Sequence, residues 1–186
     1  MKALLISDKE YQCKTYQNLK SLIEEILNTK GLGIELIEVG TDNLTFCRGC
    51  FGCWIKKPGE CVINDKMAQI NRSVMTSDIV IYLNPIVFGQ FSANIKNAID
   101  RSLPNMLPFF EIRPDGSTMH PPRYDTYPKS IIIGYGDGLS DEDKQLFIDI
   151  TKKHRRNIEV LICHETTETI IEAFNEMELG RVDNLL

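Results

Sequence analysis

This chain has little of what several large protein classes require. None of its 186 residues belongs to an apolar run approaching the roughly 20 residues of a membrane-spanning helix, so no membrane partner is expected. The opening MKALLIS passes straight into polar sequence, with no basic n-region, long apolar core or small-residue cleavage site. A reducing, cytoplasmic setting is the expectation. Positive charge is not in excess: the net charge of −5 argues against nucleic acid as the main partner. The one dense basic run, Lys152-Lys153-His154-Arg155-Arg156, falls where a helix is predicted to end and offsets its dipole there. Histidine is scarce, at three residues, and no Ser/His/Asp or Cys/His spacing points to a hydrolase. Internal repeats, low-complexity tracts and a composition break are also missing. One domain over residues 1–186 is therefore expected, long enough to bury a core unaided.

Cysteine is distributed unevenly. Four of the six cysteines, Cys47, Cys50, Cys53 and Cys61, fall in the segment CRGCFGCWIKKPGEC, with glycines at 49, 52 and 59 that let the backbone bend. Thiolates so grouped are ligands for soft metals, and three at two-residue gaps match the opening of a bacterial [4Fe–4S] run. Disulfides would need an oxidising compartment that the lack of an export signal disfavours. Structural zinc prefers two cysteine pairs set well apart. An iron–sulfur cluster, zinc, and metal-free redox-switching thiols all remain open on spacing alone. Trp54, the only tryptophan, directly follows Cys53 and either shields a bound group or anchors this segment.

The rest of the chain alternates short β-branched runs with helical periodicity. Strands are predicted at Ala3–Ser7, Ile34–Val39, Ile79–Leu83, Ser130–Ile133 and Glu159–Cys163. Helices follow from Leu19, Leu22, Ile23, Ile26 and Leu27 up to Gly31, from Met67, Ile70, Val74 and Met75 behind a cap at Asn64 or Asp65, and from Ile95, Ala98 and Ile99. Another opens at Ser140 with Asp141-Glu142-Asp143, and a last spans Thr169–Leu179 before Gly180. Five strands alternating with helices predict an α/β fold, a three-layer α/β/α sandwich around a five-stranded parallel sheet. Residues 103–129, dense in proline, break the rhythm as a long loop or lid. The end, Arg181–Leu186, is expected to be a loose tail.

Ligands of open parallel sheets collect beyond the strands' carboxyl ends, where strand order reverses. After the third strand comes Asn84-Pro85-Ile86-Val87-Phe88-Gly89, with Ser92 to cap the next helix; its amides and aromatic faces suit a flat heterocycle. After the fourth comes Gly134-Tyr135-Gly136-Asp137-Gly138, whose glycines permit close backbone approach. Cys13 and Cys163 are expected as small semi-buried and core side chains, His154 and His164 as solvated, and His120 as a candidate to line the site from the long loop.

NPIVFGQFSANIKNAIDR resembles the second flavin loop and following helix of the flavodoxin-like NAD(P)H-dependent FMN reductases. Pro85, Phe88, Gly89, Ser92, Lys96, Asp100 and Arg101 match that pattern. The cysteine segment with Asp65 and Met67 is similar to the block carried by their iron–sulfur flavoprotein branch, and GYGDG fits the third loop. The resemblance implies FMN at the carboxyl edge, NAD(P)H as donor, and a quinone, flavin or iron–sulfur acceptor, with a [4Fe–4S] cluster on Cys47, Cys50, Cys53 and Cys61. It also implies a homodimer or homotetramer. Cofactor contacts are expected from Ser7, Lys9 and Thr15 for the phosphate, and from Asn84, Pro85, Ile86, Val87, Phe88, Gly89 and Ser92. Gly134, Tyr135, Gly136 and Gly138 complete the expected set; no side chain is named as catalytic. The first loop departs from the family's Gly-Ser-Pro-Arg: Asp8 and Glu10 place two carboxylates where a phosphate is expected, predicting weakened FMN binding. Position 87 is valine in place of the usual tyrosine. The alternative is a non-catalytic flavodoxin-like binding or thiol/metal-sensing module.

Overall fold

Two apolar faces on nearly every strand force the sheet into the interior. A computed structural model describes residues 1–114, 116–154, 158–163 and 167–183. In chain order its elements are β1 (Lys2–Asp8), α1 (Lys14–Thr29), β2 (Gly33–Val39), α2 (Gly52–Ile55), α3 (Met67–Thr76), β3 (Ile79–Pro85) and α4 (Ala93–Asp100). They continue as β4 (Glu111–Ile112), β5 (Thr118–Met119), β6 (Thr126–Tyr135), α5 (Asp141–His154), β7 (Glu159–Cys163), α6 (Glu168–Glu176) and β8 (Arg181–Asp183). A 3-10 turn spans Leu103–Asn105.

The main sheet runs β2-β1-β3-β6-β7, all parallel, in the strand order of flavodoxin-like folds. Alternate residues of each strand feed opposite layers. Ala3 and Leu5 meet Tyr16, Leu19, Ile23 and Leu27 of α1 and Ile170 and Phe174 of α6. Leu4 and Ile6 meet Met67, Ile70 and Val74 of α3, Ile95 and Ala98 of α4, and Phe147 of α5. Each fully buried Leu, Ile or Phe is worth about 1.5–3 kcal/mol, so packing on the sheet outweighs helix propensity in both layers. The helix ends follow local chemistry. Gly31, at φ 73°, closes α1 by donating to Asn28 O (2.9 Å), and Leu32 donates to Leu27 O (3.0 Å). Ser140 Oγ accepts the Asp143 N–H (3.1 Å), so the predicted cap of α5 is present. At α3 the N-cap is Lys66 in place of the predicted Asn64 or Asp65 and offers no side-chain bond, although Asp65 Oδ1 accepts the Met67 N–H (3.0 Å) from one residue further out.

Several expectations needed correction. β6 begins at Thr126, four residues before the predicted Ser130, because its first three residues pair with β8. The long loop holds the β4–β5 hairpin and the 3-10 turn. The last helix ends at Glu176, three residues short of Leu179. Lys152 and Lys153 lie in the last turn of α5, while Arg155, Arg156 and His164 fall outside the described residues.

The supposed tail is a strand over Arg181–Asp183. Arg181 Nη1 donates to Met75 O (3.0 Å) and Ser77 O (2.8 Å), its Nη2 to Thr126 O (2.8 Å), and its Nε to Thr126 Oγ1 (2.9 Å). Arg181→Ala is expected to cost about 1–2 kcal/mol, since these carbonyls lose a charged donor. Amide hydrogen exchange at Thr126 and Tyr127 should rise with it; unchanged exchange there would refute the role given to Arg181.

Candidate functional site

β1 and β3 are neighbours whose connections leave in opposite directions, so their carboxyl ends and that of β6 form one edge of the sheet. At the end of β1 the chain folds back on Asp8, which is fully buried. Its Oδ1 accepts the Glu10 N–H (2.9 Å) and Asn94 Nδ2 (3.0 Å). Its Oδ2 has no hydrogen-bond partner among the described residues. Glu10 turns away: its Oε1 accepts the Thr41 N–H (3.0 Å) and hydroxyl (2.8 Å), which hold its carboxyl below the usual range. Lys9 pairs with Asp42, and the Thr15 hydroxyl donates to Asp137 of the loop after β6. Ser7 lies below the surface against the Tyr16 hydroxyl (3.0 Å). Thus neither Glu10 nor Lys9 is aimed at the start of α1, where Cys13 is the N-cap and offers no side-chain hydrogen bond.

The loop after β3 is built by its own side chains. Buried Asn84 donates to Pro85 O (2.9 Å) and accepts the Ser92 N–H (3.2 Å), and Ser92 Oγ accepts the Ile95 N–H to cap α4 (3.3 Å). Val87 and Gln90 exchange backbone hydrogen bonds of 3.0 Å each across Phe88 and Gly89, at φ 49° and 68°. Positive φ at a phenylalanine is strained by about 1–3 kcal/mol, and such strain clusters at ligand clamps. The Phe88 ring stands 90% exposed at this tip.

The loop after β6 joins the other two. Ile86 N–H donates to Tyr135 O (2.8 Å), and the Tyr135 hydroxyl to Tyr11 O (3.1 Å). Burial pushes the Tyr135 phenol well above its ordinary value, with the thiol of Cys13 and the carboxylate of Asp8 adding to it, so this hydroxyl remains a donor. At Gly134 a Cβ would lie 2.7 Å from Phe147 Cε1 and 2.8 Å from Ile86 Cδ1. That glycine is required by close packing, and Gly138 by its φ of 66°.

The cysteine segment leaves β2 and reaches α3 alongside α4. Cys47 and Cys50 are exposed, Cys53 and Cys61 half-buried, and all four are free thiols. Among the described residues no three Cys, His, Asp or Glu side chains converge as a metal site. Burial, and then the charges of Cys61, Cys47 and Cys50, push the Cys53 thiol up. The donor chemistry of four thiols in one short segment fits a soft metal or cluster. Trp54 serves as an anchor: its Nε1 donates to Leu103 O and Met106 O (3.0 Å each), and its ring stacks on Phe51 at 5.5 Å. His120 lies against Trp54 and Phe110, with Nδ1 2.8 Å from Phe109 O, and so borders the cysteine segment.

Sequence reasoning missed a buried ion pair here. Arg101 Nη1 and Nη2 reach Asp65 Oδ2 and Oδ1 at 2.5 and 2.9 Å, with side chains 1% and 10% exposed. Burial alone would raise the Asp65 carboxyl; the Arg101 bonds and the Met67 and Thr45 N–H groups outweigh it and hold it low. A cleft of about 540 Å³ lined by Arg113, Ser117, Thr118, Met119, Asp149, Lys152 and Lys153 uses none of the three loops. It is an open surface feature between the β4–β5 hairpin and α5.

A family profile described as NADPH-dependent FMN reductase matches residues 1–110. An iron–sulfur flavoprotein of Archaeoglobus fulgidus is 35% identical over 86 residues, 46% of this chain and 38% of that protein. One from Methanocaldococcus jannaschii is 34% identical over 95 residues, 50% of this chain and 48% of its own. The match thus spans less than half the length of these curated relatives. Among solved structures, an NAD(P)H:quinone oxidoreductase from Methanothermobacter marburgensis superposes with a TM-score of 0.65 at 11% identity, covering 94% of this chain and 92% of that one. An azoreductase from Bacillus anthracis gives 0.61 at 10% identity, covering 95% and 92%. Likeness at such identity concerns the fold alone.

Proposed function

The chain belongs to the NADPH-dependent FMN reductase family, and we propose that it is an FMN-dependent oxidoreductase. In this reading it takes hydride from NAD(P)H and passes electrons to a small acceptor, a quinone, a flavin or an iron–sulfur centre. The observation that carries the reading is the cross-bonded rim at the carboxyl edge. Asn84 fixes the Pro85–Gly89 turn from inside, Tyr135 O holds Ile86, and Thr15 joins Asp137. Bound FMN supplies the hydride-accepting chemistry, and the protein supplies position and electrostatics.

The residues fit the group. Pro85, Ile86, Val87, Phe88 and Gly89 would border one side of the flavin ring, and Gly134, Tyr135, Gly136 and Gly138 the other. The uncapped amides at the start of α1, with Thr15, would take the phosphate. Because Thr41 holds Glu10 aside, the repulsion expected from two carboxylates reduces to that of buried Asp8. Asp8→Asn keeps an oxygen for the Glu10 and Asn94 donors and removes the charge. At an effective dielectric of about 20 this is worth on the order of 1 kcal/mol, so FMN should bind severalfold more tightly. A fluorescence titration reads the change; an equal or weaker affinity would remove the electrostatic argument.

Cys47, Cys50, Cys53 and Cys61 would hold a soft metal or an iron–sulfur cluster. Support comes from the four-thiol donor set and from the relatives that are iron–sulfur flavoproteins. Exposed Phe46, Phe51, Ile55, Phe109, Phe110 and Ile112 support self-association as a dimer or tetramer. No described helix is long and apolar enough to cross a membrane. The deciding experiment is anaerobic purification followed by FMN titration and NAD(P)H addition. A bound flavin whose visible absorption bleaches with the nucleotide supports the enzyme. Protein that stays colourless after FMN addition sinks it and favours the non-catalytic thiol or metal module.

A further inference from the structure

α4 starts at the candidate flavin turn and ends beside the thiols. One turn apart near that end, Asn97 and Arg101 project to the same side of the helix, and both are buried. Asn97 Nδ2 donates to Leu44 O and Thr45 O at 3.3 Å each. Arg101 Nη1 donates to Thr45 O at 2.5 Å as well as to Asp65, and its Nη2 reaches Cys61 Sγ at 3.2 Å. Thr45 lies two residues before the first thiol of the segment, Cys61 is the last, and Asp65 follows it. One guanidinium therefore touches both stems of the cysteine segment and one of its sulfurs. The two stems are tied together through the buried Arg101, while the tip that carries Cys47 and Cys50 is open to solvent.

We propose that Arg101 is the positioning residue of the thiol set: it holds the two stems together, fixes Cys61 as the first anchored ligand, and presents a positive charge to the sulfurs while the exposed tip closes on a metal. The proposal rests on the reading of the four cysteines as a soft-metal donor set. Each thiol that binds loses its proton to water as its sulfur–metal bond forms, so four ligands around a divalent ion leave a net charge of about −2. A charged N–H donor to one such sulfur offsets part of that charge and removes one ligand's freedom before binding. Asp65 turns both carboxylate oxygens to Arg101 and to the Met67 and Thr45 N–H groups, which leaves the guanidinium as the end of the ion pair that meets Cys61.

The test uses Co²⁺ as the probe on metal-free protein kept anaerobic, and reads thiolate-to-cobalt charge-transfer absorption. R101Q/D65N removes both charges of the pair and strands neither. It is expected to bind Co²⁺ at least about tenfold more weakly, the usual scale for losing a supporting contact. Its charge-transfer intensity at saturation should fall by about a quarter, one sulfur's share of four. R101K, which keeps the charge without the fork, should recover part of both, read beside the melting curve of each variant so that loss of fold and loss of thiol positioning are told apart. If the double variant does not fold, R101K alone decides, as weaker binding with a native melting curve. Wild-type affinity and intensity in these variants would overturn the role of Arg101. A wild type that develops no charge-transfer absorption would overturn the donor-set reading beneath it, and FMN binding, measured separately, would be untouched by either result.

Discussion

Asp65→Ala is expected to lower the unfolding free energy by about 3–5 kcal/mol, the cost of stranding one charge of a buried pair. The guanidinium of Arg101 would keep only Thr45 O and Cys61 Sγ as acceptors, and its Nε already has no partner among the described residues. Replacing both partners with apolar residues, as D65L/R101M, should restore much of the loss, because no uncompensated charge then remains. Denaturant midpoints for the two singles and the double give the coupling directly. pH gives a second reading. The folded carboxyl sits below its ordinary value of 3.8, so the unfolded chain binds a proton first as pH falls. The stabilisation is complete above about 3.8 and disappears as pH drops through the lower folded value. In D65N that acid-dependent part should vanish. A wild type and D65N with parallel stability curves below pH 4 would contradict the pairing.

Gly134→Ala is expected to destabilise the fold by about 1–3 kcal/mol and to weaken FMN binding by tenfold or more. Overpacking a well-filled interior has that cost, because neighbours must leave their rotamers. Here the neighbours are Phe147 Cε1 at 2.7 Å and Ile86 Cδ1 at 2.8 Å. Phe147 is a rigid ring in the core, so the strain passes to Ile86, which leads into the Val87–Gln90 turn. A shift of about 1 Å in a positioning element can cost on the order of 10²-fold in rate. Flavin fluorescence quenching and a urea titration on one sample separate the two effects. Unaltered affinity in a destabilised variant would show that the rim does not contact the flavin.

The main sheet was legible because its strands are short β-branched runs bounded by glycine, proline or a cap. Ile79–Leu83 could be buried on both faces only at the centre, and β3 is there. α3 and α5 were legible from Met67-Ile70-Val74 and from Ser140 with its acidic turn. β8 was not, since Arg181-Val182-Asp183 has no strand pattern and is held by carbonyls about a hundred residues away. In the candidate site, glycines and the Asn84–Ser92 run could be read from local sequence. The disposition of the first loop could not: Glu10 is drawn off by Thr41, 31 residues on, and Lys9 by Asp42. Composition counted their charges and had no means of aiming them. Arg101 was matched to the family pattern, but its grip on both stems depends on a helix lying along a loop.

Asn84 spends both ends of its amide inside the protein, one on Pro85 O and one on the Ser92 N–H. The turn beyond it, with Phe88 at a positive φ, is therefore shaped by the protein's own hydrogen bonds. A flavin would meet that turn with its shape already set by those bonds. Its association should be a single bimolecular phase, linear in concentration, and affinity differences among rim variants should appear mainly as differences in how long the flavin stays.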